Sequence, residues 1–167
     1  MQINKSDFDI VTLEDEIRVD GLCKGLLMEF YELQLAEGVD PATATRLANG
    51  ADHFVRDFLV GAKMLNLFTE RKGLVRQFAG NWYIVNTIEP KVEYLVDTLP
   101  GVASFYRFLS VNGLISEAFC RQIEAECGDI SFYESRIESF WEITGDGYAD
   151  WERGCTIQDR KTAAGKA

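Results

Sequence analysis

The four residues Gly38-Val39-Asp40-Pro41 restrict the fold of this chain more than any other stretch. Glycine suits the left-handed residue just past a helix, and an apolar residue after it folds back on the last turn. Aspartate is a preferred N-cap and proline a preferred first helical residue. A helix stop and a helix start thus abut, and the second helix has to double back on the first as a hairpin. Upstream, Thr12-Leu13-Glu14-Asp15 fits the pattern that opens a helix, and Cys23, Leu26, Leu27, Phe30, Tyr31 and Leu33 recur at helical spacing. Downstream, Leu47, Ala51, Phe54, Val55 and Phe58 make the core stripe of the second helix. At about 100° per residue, Arg46, Asn49, His53, Arg56, Val60 and Lys63 gather on its opposite face.

A second hairpin is expected further on. Pro100-Gly101 reads as the start of a helix carrying Val102, Phe105, Tyr106 and Leu109 up to Gly113, and Ser116 caps another that reaches about Cys127. Phe105-Tyr106 precedes Gly113 by the same interval at which Phe30-Tyr31 precedes Gly38, so the helix stop is repeated. Ser131-Phe132-Tyr133-Glu134 is a further capping box. It opens a last helix with Phe132, Tyr133, Ile137, Phe140, Trp141 and Ile143 on one side and Glu134, Glu138 and Glu142 as a solvated ridge.

Between the hairpins the run Trp82-Tyr83-Ile84-Val85 favours a strand when taken alone. With the residues before it, Leu74, Val75, Phe78, Ala79, Trp82 and Val85 fall on one helical face, and the helical reading is preferred. It leaves Ile84 on the polar side, calling for a second packing surface or a partner, and Asn86 on the apolar face, where its amide needs a hydrogen bond. Thr87 is then expected to cap a short helix with Glu89 and Pro90 in its first turn. The result is an all-α, single-domain bundle of about five to seven helices, built from two αα-hairpins plus a C-terminal helix. Residues 1–11 read as an N-terminal extension, 12–145 as the bundle and 146–167 as a largely mobile tail, with Trp151 available to tack its first part down.

The composition, 47% hydrophobic and 26% charged, belongs to a chain with a core. No apolar run approaches the roughly 20 residues that cross a bilayer, and the polar start lacks a signal-like stretch, which predicts a cytoplasmic location and no membrane partner. Cys23, Cys120, Cys127 and Cys155 form no Cys-x-x-Cys pair and read as small hydrophobes; no metal or cofactor site is expected. Phosphate-loop, nucleophile-elbow and zinc-protease motifs are missing, so no catalytic residue is assigned and the chain is not expected to be an enzyme.

The net charge of −10 disfavours nucleic acid, yet residues 41–80 carry Arg46, Arg56, Lys63, Arg71, Lys72 and Arg76 against Asp52, Asp57 and Glu70. The run FYELQLAEGVDPATATRLANGADHFVRDFL, followed by LPGVASFYRFLSVNGLIS, resembles the helical, SAM-like N-terminal (core-binding) domain of tyrosine recombinases and phage integrases over residues 20–116. That resemblance stops short of a catalytic domain. It implies a DNA clamp in which Arg46, Arg56 and Lys63 contact phosphates, with Arg71, Lys72 and Arg76 close by. Arg136, amid the apolar side of the last helix, needs a carboxylate, a carbonyl or an anion. Together with Trp82, Tyr83 and Asn86 it would line a small-molecule pocket inside the bundle. The first expectation, resting on the generous aromatic content, is a non-enzymatic helical module that binds a protein partner, a second copy of the chain among the candidates.

Overall fold

A computed structural model of the chain describes residues 2–155, and all regular structure among them is helical. Helix α1 (Leu13–Ala36) opens on the reciprocal cap between Thr12 and Asp15 and stops at Gly38, φ +88°, where the Val39 N–H donates to Gln34 O at 3.0 Å. Asp40 then accepts from the Thr43 N–H at 3.0 Å and caps α2 (Pro41–Asp52). From α2 the chain runs without a break into a π-helical stretch, His53–Ala62.

A central helical segment follows: α3 (Leu74–Gln77), a π-helical turn Phe78–Trp82, and α4 (Tyr83–Val85). Its start is capped from a distance, since the buried Glu126 carboxylate accepts the N–H groups of Gly73 at 3.2 Å and Arg76 at 3.0 Å. Helix α5 (Val92–Val111) stops at Gly113, φ +71°, and α6 (Glu117–Gly128) is capped by Ser116, whose hydroxyl accepts from the Phe119 N–H at 3.1 Å. Helices α7 (Ile130–Trp141) and α8 (Tyr148–Arg153) complete the described chain.

Both hairpins, α1/α2 and α5/α6, are present, and they join along the seam between α2 and α5. A Cβ on Gly50 would lie 3.1 Å from the Thr98 carbonyl carbon, and one on Gly101 would lie 2.9 Å from that of Leu47; each would overlap the carbonyl oxygen. Only hydrogen at both positions lets the two backbones come this close. Phe30, Phe54, Phe58, Phe78, Phe105 and Tyr106 fill the space beside the seam.

Several local expectations are corrected by packing. Helix α5 starts at Val92, not Pro100: Leu95, Leu99 and Val102 are fully buried on both sides of the proline, and one continuous core stripe outweighs the donor that proline removes. No helix covers Thr87–Pro90; the Tyr83 hydroxyl accepts the Lys91 N–H at 2.9 Å and donates to Lys91 O at 3.2 Å, holding the chain extended. Helix α7 is N-capped at Asp129 instead of Ser131, its first turn tied to α6 by the Tyr133 hydroxyl donating to Glu126 O at 2.6 Å.

The ends pack more than expected. Phe8, in the supposed extension, is buried edge-on against Phe68 at 4.9 Å. In the supposed tail, Trp151 of α8 is buried, its indole N–H donating to Arg136 O at 3.2 Å and to Ser139 Oγ at 3.0 Å. The rest of that tail, residues 156–167, lies outside the described residues.

Two further corrections share one cause. A π turn closes i→i+5 hydrogen bonds, so it inserts a residue relative to α-helical register and rotates everything after it. In the central segment Ile84 comes out fully buried while Val85 is 40% exposed, the reverse of the straight-helix expectation. Asn86 is likewise exposed, donating from Nδ2 to Trp82 O at 2.8 Å as a C-terminal cap. After α2 the same insertion buries Val60 and breaks the polar face expected from Arg46 to Lys63.

Candidate functional site

The six basic residues proposed for DNA do not form one surface. Arg56 is half-buried and committed to the protein's own carboxylates: Nε and Nη2 donate to the two Asp20 oxygens at 2.8 and 3.0 Å, and Nη1 donates to Asp52 at 2.9 Å. The bidentate bond holds the Asp20 carboxyl below its usual range and raises the guanidinium above its own. Lys63 sits 5.9 Å over the Phe58 ring, and Arg76 stacks 4.0 Å over Phe132 with Asp129 at 3.9 Å. Arg71 is half-buried and Lys72 exposed beyond the π-helical stretch; Arg46 alone lies out on α2, beside α5.

Nor do the four residues proposed for a ligand converge. Arg136 is buried in α7 and meets the central segment only at its backbone: Nε donates to Gly80 O at 2.8 Å, Nη1 to Trp151 O at 2.7 Å, and the guanidinium stacks 3.9 Å over the Trp151 ring. Arg136 is therefore the clasp that seats α8. Carbonyls answer it rather than a carboxylate, and burial pulls its pKa down. Trp82 and Tyr83 do approach a surface cleft, from the inside.

That cleft is built where the two π-helical stretches meet the start of α5. Phe54, Phe58, Phe78 and Trp82 interlock there with ring centroids 5.3 to 5.9 Å apart. Such contacts offset the poor hydrogen-bond geometry of π turns, which recur near functional sites. His53, the only histidine of the chain, meets the Phe78 and Trp82 rings edge-on and is hydrogen-bonded through Nδ1 to the Tyr94 hydroxyl. Burial lowers its pKa, more than the nearby Asp57 and Asp52 raise it, so the ring is neutral at pH 7. The Tyr94 ring stacks on Tyr83 at 4.9 Å and 16°, and burial raises both phenols.

Tyr94 stands between two open depressions. One, of about 410 Å³, is lined by His53, Tyr83, Thr87, Glu89, Lys91 and Tyr94. The other, of about 350 Å³, follows the α2/α5 seam past Thr45, Arg46, Asn49, Asp97 and Thr98. An apolar side chain crowns the area: Ile88, between Thr87 and Glu89 of the lining, is 94% exposed. Charged groups ring it. Arg46, Glu89, Lys91, Glu93 and Asp97 make no ion pair among the described residues, whereas Arg18, Arg56, Arg76, Arg107, Arg121 and Arg153 each meet a carboxylate.

Tyr94, Ile88, Lys91 and Asp97 were missed as site residues in the sequence. Tyr94 and Asp97 share one face of α5 with Lys91 at its N-cap, a signal legible only if α5 is started before Pro100. Comparison with protein-family models, with curated proteins and with solved structures finds no match for this chain. Among the described residues no helix is long and apolar enough to cross a membrane, and no group of three or more His, Cys, Asp or Glu is placed to hold a metal ion.

Proposed function

We propose that this protein is a non-enzymatic helical interaction module that binds a protein partner through the surface centred on Tyr94. The observation that carries this reading is the cluster of charges of both signs, without ion pairs among the described residues, around an exposed aromatic and aliphatic centre, on a molecule in which six other arginines each meet a carboxylate. An aromatic anchor inside a polar rim is the composition of an interface centre. A half-exposed tyrosine already seated on His53 and Tyr83 loses little freedom when a partner covers it. The depressions on either side are shallow and open, which suits a partner's side chains better than an enclosed small molecule.

A random helical-peptide display library selected against the full chain tests this. Selected peptides are expected to lose at least tenfold in affinity for Tyr94→Ala and Ile88→Asp, and to be unaffected by Glu138→Ala on the α7 ridge. Peptides that bind Tyr94→Ala and Ile88→Asp as tightly as the parent would overturn the assignment.

A further inference from the structure

The surface around Tyr94 is self-complementary. Lys91, the extended N-cap residue of α5, precedes Tyr94 by three residues and Asp97 follows it by three on the helix, so the two charges flank the tyrosine on opposite sides along the chain. A two-fold axis through Tyr94, perpendicular to α5, sets two copies of the helix antiparallel. It brings tyrosine to tyrosine and Lys91 of each copy to Asp97 of the other. Two more features acquire a use in the same arrangement. Ile88, 94% exposed, lies in the loop ahead of α5, and on the other side of Tyr94 the trough lined by Arg46, Asn49, Asp97 and Thr98 runs along the helix. Arg46, on the rim of that trough, then faces the opposite copy's Glu89 and Glu93.

On these grounds we propose that the partner is a second copy of this chain, docked by a two-fold contact in which Tyr94 packs across the axis, Lys91 pairs with Asp97 and Ile88 enters the opposite α2/α5 trough. The inference rests on the interaction reading above and narrows it. Charge complementarity selects the occupant: Lys91 and Arg46 of each copy meet Asp97, Glu89 and Glu93 of the other, which offsets locally the long-range repulsion between two chains of −10. α1 does not qualify, because Glu14, Asp15, Glu16, Asp20, Glu29 and Glu32 outnumber Arg18 and Lys24 along it.

Sedimentation velocity on the full chain from about 5 to 200 µM tests the proposal, with circular dichroism confirming that each variant is folded. The parent is expected to move from monomer to dimer over this range. Lys91→Glu and Asp97→Lys are each expected to weaken association at least tenfold, and the double variant K91E/D97K to regain it, since the pair is rebuilt with reversed sign across the axis. The Tyr83 bonds to residue 91 use its backbone, so they survive both changes. A parent that stays monomeric at 200 µM overturns the proposal, as does a double variant no stronger than its singles. The broader reading fails separately: a monomeric parent whose display-selected peptides still depend on Tyr94 loses only the identity of the partner, whereas peptides indifferent to Tyr94 remove the surface itself.

Discussion

Replacing Gly101 by alanine should destabilise the protein, against the sign that helix propensity alone dictates. In an exposed helix interior the exchange is worth about 1 kcal/mol in favour of alanine. At the α2/α5 seam the added Cβ would stand 2.9 Å from the Leu47 carbonyl carbon and 3.1 Å from its Cα, and would overlap the oxygen between them. The obstacle is backbone, so no rotamer change relieves it, and the helices must part by roughly 1 Å along a line lined with buried Ala51, Leu99 and Val102. Overpacking of this kind costs about 1–3 kcal/mol, and opening a seam that two main chains share places it at the upper end. Less the propensity gain, the net loss is about 2 kcal/mol. With a urea m-value of about 2 kcal/mol/M, typical of a small domain, the midpoint should fall by roughly 1 M at unchanged slope. Gly21→Ala and Gly25→Ala on α1 are the controls, because a Cβ at either position meets nothing within 4 Å. Each should raise the midpoint by about 0.5 M. If Gly101→Ala raises the midpoint as they do, the close crossing of α2 and α5 is wrong.

Arg136→Ala removes two charge-assisted bonds to carbonyls and the stack on Trp151, a loss of about 3 kcal/mol, and should free α8 before the rest of the bundle unfolds. Rapid amide exchange over residues 148–153 with little change elsewhere would show it. Glu126→Gln keeps the size of the cap on α3 but loses its charge and one of its two acceptor oxygens, setting an amide NH2 against a backbone N–H, and should cost about 2 kcal/mol in a urea melt. Acidification should act through His53. Its folded pKa is depressed by burial, so its contribution is fully present above the unfolded value of about 6.5 and is lost as pH falls through the folded value. Thermal melts from pH 7.5 to 5 should therefore fall more steeply for the parent than for His53→Phe; parallel slopes would place the ring in water.

Much of the fold was written in short local signals. The caps at Thr12, Asp40 and Ser116 and the stops at Gly38 and Gly113 depend on a few neighbouring backbone groups, so residue identity alone was enough to place them. The hairpins, and with them the all-α class, follow from how closely stop and start adjoin. The candidate site was only glimpsed. Trp82 and Tyr83 were singled out, but they support the cleft from beneath, while Tyr94, Lys91 and Asp97 were hidden by placing the start of their helix at Pro100.

What lay beyond local signals was rotation and pairing. Whether Ile84 or Val85 turns inward depends on one π turn, and that turn is stabilised by Phe54 and Phe58 on a separate helix, so no window of neighbouring residues encodes it. Arg56 read as a cation facing solvent because Asp20, which takes two of its bonds, is 36 residues away along the chain. Arg136 likewise read as needing a counter-charge until α8 folded over it and supplied a carbonyl and an indole face. Caps are short-range chemistry and survive in the sequence as motifs. The facing of a helix and the partner of a charge are settled by what packs against them, and only the assembled bundle contains that information.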